Sequence, residues 1–266
     1  MSPRRITCPI CGRGDRDRTL TVFDTGRVHC HRCGKDAWRD IKAALGCEFD
    51  EHPPHRPVKP TAARNDGLAP WAAALWESSR ALSGEGLAYL QARACVIPPS
   101  DGDLRWHPEV LHKPTGHTGP ALIALVTDAI TNKPISVHRT WIRRDGTKPV
   151  KPARMLAAGH RAKGGVIRLW SDDAVTSGIA ITEGIETALA VAHVHRPVWS
   201  CIDAGNVAAF PVLNGIEAIT IFADADEAGL RAAEQCAERW HAAGREVFIC
   251  EPPVGDWNDR AQEAVA

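Results

Sequence analysis

The chain has 266 residues, 44% of them hydrophobic, enough for two domains with a buried core and outside the disordered class. Lysine plus arginine equal aspartate plus glutamate at 32 each, so no whole-molecule field draws the protein to nucleic acid and any such contact must come from local patches. No stretch approaches the ~18 apolar residues of a membrane span, and MSPRRITCPI lacks a secretory signal's apolar run, which predicts a cytoplasmic protein without a membrane partner.

The first element is a metal-binding segment. Cys8-Pro-Ile-Cys11 and Cys30-His-Arg-Cys33 are two CxxC knuckles, each placing two thiolates on one side of a tight turn. Together they complete a tetrahedral shell with no open position, so a bound Zn2+ is expected to be structural. His29 and His31 are alternative ligands, but four cysteines already fill the shell. A redox dithiol is the competing reading of CxxC, yet that motif usually occurs once, at the start of a helix. Cys47, Cys95, Cys201, Cys236 and Cys250 lack such spacing and read as core thiols. In DAWRDIKAALG, Trp38, Ile41 and Leu45 recur at helical spacing and Gly46 is a stop. The following stretch, with Pro53, Pro54, Pro57 and Pro60, reads as an extended linker. A zinc ribbon over 1–47 and a linker over 48–67 follow.

From Leu68 a helix is expected, with Trp71, Leu75, Ser78 and Leu82 on one face, and a second helix carrying Leu87, Leu90 and Ala94. LRWH, ALIALVT and ISVHRTWI read as antiparallel strands, the last two joined through Asn132 and Pro134, and VIRLW as another. This gives a mixed α+β subdomain over 68–174. Its segment from Lys133 to Arg168 is basic, holding Arg139, Arg143, Arg144, Lys148, Lys151, Arg154, Arg161 and Lys163 against the single acid Asp145. Such a run is either a solvated face or a surface for nucleic acid and nucleotide, with Arg139, Arg143, Lys148, Lys151 and Lys163 as candidate contacts.

From Ser177 strands and helices alternate. GIAIT, PVWSCID, AITIFAD and REVFIC read as strands, EGIETALAVAHVH and EAGLRAAEQCAERWHAAG as helices. Alternation predicts an α/β domain over 175–266, a Rossmann-like parallel sheet flanked by helices, with ligands at the carboxyl ends of its strands. Acidic residues fall at those ends: Glu183, Asp224 with Asp226, and Asp256 with Asp259. In extended backbone Asp224 and Asp226 point to the same side and can face one cation. Carboxylates with open positions suit Mg2+, which keeps waters and takes phosphate oxygens as its other ligands. Each acid alone is more often a helix cap or a solvated loop residue; the three clusters together favour a metal centre.

TEGIETALA and ADADEAGLRAA resemble the glutamate and DxD motifs of the Toprim domain, found in bacterial primases, topoisomerases and some nucleases. The resemblance implies Glu183 as acid/base or metal-coordinating glutamate, Asp224 and Asp226 as the magnesium pair, and Asp256 as the third acidic position. The ribbon resembles that of primases, with a cysteine where their histidine ligand usually stands. GEGLAYLQAR, SVHRT and AKGGVIRLW are similar to the middle region of phage and plasmid primases. The implied function is a DNA primase, making short RNA primers from ribonucleoside triphosphates on single-stranded DNA, with Zn2+ structural and Mg2+ (or Mn2+) catalytic. A separate replicative helicase is an expected partner, since no GxxxxGK[ST] loop occurs. The rivals are a Toprim nuclease and a non-catalytic single-strand-binding module. A topoisomerase would need Tyr89 as nucleophile, and that residue sits in an apolar helical pattern.

Overall fold

The structure, a computed structural model, describes residues 4–12, 14, 17–22, 28–33, 37–46, 67–253 and 255–265. The chain divides into two compact units, Met1–Thr61 and Ala62–Ala266. Cys47, the linker prolines, Arg13 and Arg16 lie outside the described residues.

In the first unit, strands β1 (Arg4–Ile6), β2 (Leu20–Val22) and β3 (Val28–Cys30) form an antiparallel sheet in that order, followed by helix α1 (Trp38–Ala44). Its buried core is Leu20 and Ile41 with Cys8 and Cys30. Among the described residues Ile6, Val22, Val28 and Ala37 pack against it, and two of its four buried members are cysteines. Helix α1 is followed by Gly46, which turns the chain away at φ +68° and whose N–H donates to the Ala43 carbonyl at 3.1 Å.

The second unit opens with α2 (Pro70–Ser78) and α3 (Gly84–Ala92), both shorter than the spacing predicts. Leu82 lies beyond α2, which Ser79 ends in extended backbone, and Ala94 lies beyond α3 at φ +51°. Strands β4 (Leu104–His112), β5 (His117–Asp128), β6 (Pro134–Trp141) and β7 (Arg154–Leu156) then pair antiparallel in sequence order. Between β5 and β6, Asp128 Oδ1 accepts the N–H groups of Ile130 and Thr131 and Asn132 sits at φ +54°, the turn chemistry expected there.

The expected strand VIRLW is corrected. Only β8 (Gly165–Val166) pairs, with β5, and Ile167 instead bridges Ser200. The reason is Arg168, which is buried. Its guanidinium donates to Asp172, Thr127 and the carbonyls of Asp128 and Ala129, so a side chain, not a ladder, holds this segment.

The remainder alternates: β9 (Gly178–Thr182), α4 (Ile185–Val191), β10 (Val198–Ser200), α5 (Ala204–Ala209), β11 (Ala218–Phe222), α6 (Glu227–Ala242), β12 (Glu246–Cys250) and α7 (Trp257–Val265). The four strands pair in parallel in the order β10-β9-β11-β12. Ile179, Ile181, Ile219 and Ile221 alternate onto one face, where they bury with Phe210 and Trp240. On the other face Ala180 and Phe222 join Ala188 and Leu189 of α4. The same core continues into Tyr89 and Leu90 of α3 and Trp106, Leu122 and Ala124 of the antiparallel sheet. The two sheets therefore share one interior. Among the described residues no helix is long and apolar enough to cross a membrane.

Candidate active site

Strand register brings the acids together. Thr182 of β9 is paired with Phe222 of β11, so Glu183 and Asp224 leave neighbouring strands within one residue of the same level. Asp256 arrives from beyond β12, where the Ala225 N–H donates to the Gly255 carbonyl at 3.0 Å and ties the two acidic loops together. Glu183, Asp224 and Asp256 line one cleft with Gly184, Ser200, His138 and Arg154.

Two small contacts set this geometry. The Ser200 hydroxyl donates to the Glu183 carbonyl at 2.8 Å. Gly229, in the first turn of α6, lies so close to Asp224 that an added Cβ would stand 2.7 Å from the Asp224 carbonyl oxygen. The glycine after DxD is thus explained by packing, not by turn conformation.

Asp226 behaves differently. It caps α6, its Oδ1 accepting the Gly229 N–H at 2.7 Å, and it is not among the residues lining the cleft. The cap expected of this pair thus falls on Asp226, through Oδ1 alone, while Asp224 lines the cleft. Asp256, not Asp259, lines the cleft, and the Asp259 N–H donates to Asp256 Oδ1 at 2.8 Å.

The electrostatics are those of crowded acids. Burial, then the charges of Asp224, Asp226 and Asp203, push the Glu183 carboxyl up to about 7. Burial, then Asp256 and Asp226, push Asp224 up to about 6. Asp224 Oδ1 is also buried without a hydrogen-bond partner among the described residues. A buried carboxylate oxygen left unpaired is costly, and a cation there would repay the cost, so the residues fit a bound metal.

The basic segment separates by strand parity. His138, Thr140, Arg154 and Leu156 lie on one face of the β6–β7 pair, Arg139 and Met155 on the other. Arg154 faces the cleft. Arg139 is buried on the opposite side, its guanidinium 5.5 Å from the Trp71 ring and 5.3 Å from the Trp141 ring. As a surface contact for nucleic acid Arg139 is therefore corrected, because the residue is buried, its guanidinium lying near the buried Trp141 ring and the exposed Trp71 ring. Lys148 and Arg154 both pair with Glu186, at 2.9 and 3.0 Å. Arg143, Lys151 and Lys163 are exposed and make no ion pair among the described residues.

Sequence reasoning passed over Glu186. It is fully enclosed, and its Oε1 also accepts the Tyr89 hydroxyl at 2.8 Å. Burial alone would raise its pKa, but Arg154 and Lys148 hold it well below the usual carboxylate range. Its spacing from Glu183 is the only signal in the sequence, and that spacing is ordinary for a helix. Tyr89 is buried as its apolar pattern implies.

In the first unit Cys8, Cys11, Cys30 and Cys33 bring their Sγ atoms within 4.8 Å of one another. The pairs Cys8–Cys33 and Cys11–Cys30 are separated by 3.9 and 3.5 Å. A tetrahedron with metal–sulfur bonds of about 2.3 Å has edges of about 3.8 Å, so these four fit one zinc ion. Among the described residues this is the one group of three or more ligand atoms so close together. His31 instead lies 3.3 Å from the Thr21 hydroxyl.

The Toprim domain family model matches residues 178–266, and a domain of unknown function (DUF7146) matches residues 66–169. The final third of the chain is a Toprim domain. No curated protein matches the chain. Among solved structures, it is similar to the primase fragment of the bacteriophage T7 primase-helicase protein, with 18% identity, a TM-score of 0.45, and 98% of this chain and 95% of that one covered. It is also similar to a DNA primase domain from Pseudomonas aeruginosa (15% identity, TM-score 0.48, 73% and 74% covered). A third is the Aquifex aeolicus primase, comprising zinc-binding and RNA polymerase domains (14% identity, TM-score 0.46, 100% and 79% covered).

Proposed function

We propose that this Toprim-domain protein is a DNA primase, joining ribonucleotides on a single-stranded DNA template by magnesium-dependent nucleotidyl transfer. The observation that carries the reading is the meeting of Glu183, Asp224 and Asp256 in one cleft at adjacent strand ends, with an Asp224 oxygen buried and unpaired. Asp224, Asp226 and Asp256 would hold the metal, Mg2+ or Mn2+, which supplies positive charge to the phosphate oxygens of the nucleotide. Carboxylates suit a cation that keeps several of its waters. Glu183, whose carboxyl is pushed up first by burial, would take or give the proton. The exposed cations Arg143, Lys151 and Lys163 would hold template and triphosphate, while Lys148 acts from inside through Glu186. Four thiolates of the first unit would hold one structural Zn2+.

Template-dependent incorporation of labelled ribonucleotides tests the reading. Asp224→Asn, Asp226→Asn and Glu183→Gln should each lower primer synthesis by about 100-fold or more. Asparagine caps helices as well as aspartate does, so Asp226→Asn keeps the start of α6 and loses only charge. Wild-type rates in all three variants would favour the binding module. Phosphodiester cleavage without incorporation, lost in the same variants, would favour the nuclease.

A further inference from the structure

Glu186 is the most thoroughly enclosed charge beside the cleft, and it has two cations for one carboxylate. Burying an ion pair gains little stability over apolar packing, so the arrangement calls for a reason outside the fold. The reason lies in what Arg154 would otherwise do. Its side chain is half exposed, it lines the cleft, and its charge acts on Glu183 and Asp224 and responds to Asp256. A guanidinium fork matches a carboxylate with two parallel hydrogen bonds, better than any other side chain does. Released among three carboxylates, it would settle on the oxygens that a divalent cation needs.

We infer that Glu186 is a positioning residue: through a buried ion pair it holds Arg154 away from Glu183, Asp224 and Asp256, so that these carboxylates stay open to a divalent cation. Lys148 and Tyr89, both on Oε1, orient the carboxylate so that Oε2 is presented to Arg154. The inference rests on the proposed metal site, and the experiment separates the two.

The experiment is a titration of the full, zinc-loaded chain with Mn2+ alone, following loss of the free-ion signal by electron paramagnetic resonance. Glu186→Gln should weaken Mn2+ binding about tenfold, because the freed guanidinium competes with the metal. Adding Arg154→Ala to Glu186→Gln should restore binding to within about twofold of wild type, which a merely structural role would not do. Should Glu186→Gln fail to fold, Glu186→Asp withdraws the carboxylate by one methylene, and the same reversal by Arg154→Ala is expected. A double variant as weak as the single one, or a single variant equal to wild type, overturns the inference alone. Absence of Mn2+ binding in wild type overturns the metal site with it.

Discussion

At the scale of single residues the cleft depends on one missing side chain and a few carboxyl protons. Gly229 allows α6 to start against the backbone of Asp224. Gly229→Ala should push Asp224 out of line and cost activity about 10–100-fold, with a modest loss of stability, checked by primer synthesis and thermal melting side by side. The carboxyls of Glu183 and Asp224 are raised to about 7 and 6, so the folded protein holds protons that the unfolded chain has released. Their contribution is therefore present at low pH and is lost as pH rises toward 7. Without divalent metal the second unit should melt at a lower temperature at about pH 8 than at about pH 5, and magnesium should raise the melting point more at the higher pH. Asp224→Asn should flatten that dependence. Equal magnesium effects at both values would count against crowding of these acids.

At the scale of elements, the parallel sheet and its acids were legible because a strand–helix alternation has only a few ways to close, and ligands gather where its strands end. Glu183, Asp224 and Asp256 were legible for that reason. Helices α5 and α7 were not, being short or following a loop whose turn the residue types do not announce. VIRLW misled because its apolar residues bury as a strand's would, while the buried Arg168 within it bonds to a loop. The basic run misled more instructively. Composition counts Arg139 and Arg154 alike, and only pairing with β7 shows that one faces aromatic rings and the other the cleft. Replacing Arg143, Lys151 and Lys163 by alanine should flatten the salt dependence of single-strand binding, by roughly one unit of log–log slope for each phosphate that the variant no longer neutralises. Arg139→Ala should leave that slope unchanged and instead lower stability by about 1–3 kcal/mol, measured by denaturant unfolding.

At the scale of the whole molecule the two units obey different physics. In the first, four thiolates converge and two of them belong to the buried cluster of the described residues, so its folding should be coupled to loading of the proposed metal. Purified protein should contain about one zinc per chain. Cys30→Ser should lose that metal and leave the main melting transition of the second unit in place, as metal analysis and calorimetry would register. The second unit has the opposite character, since Tyr89, Trp106 and Leu122 share their interior with Ala188 and Leu189 across what the chain order presents as two regions. That shared interior makes the connection near the 3-10 turn Asp172–Ala174 dispensable as a covalent link. Two polypeptides divided there, each carrying an uncovered apolar face, should be insoluble when made separately. Made in the same cell, they should find each other and rebuild the cleft from halves, as a split enzyme does.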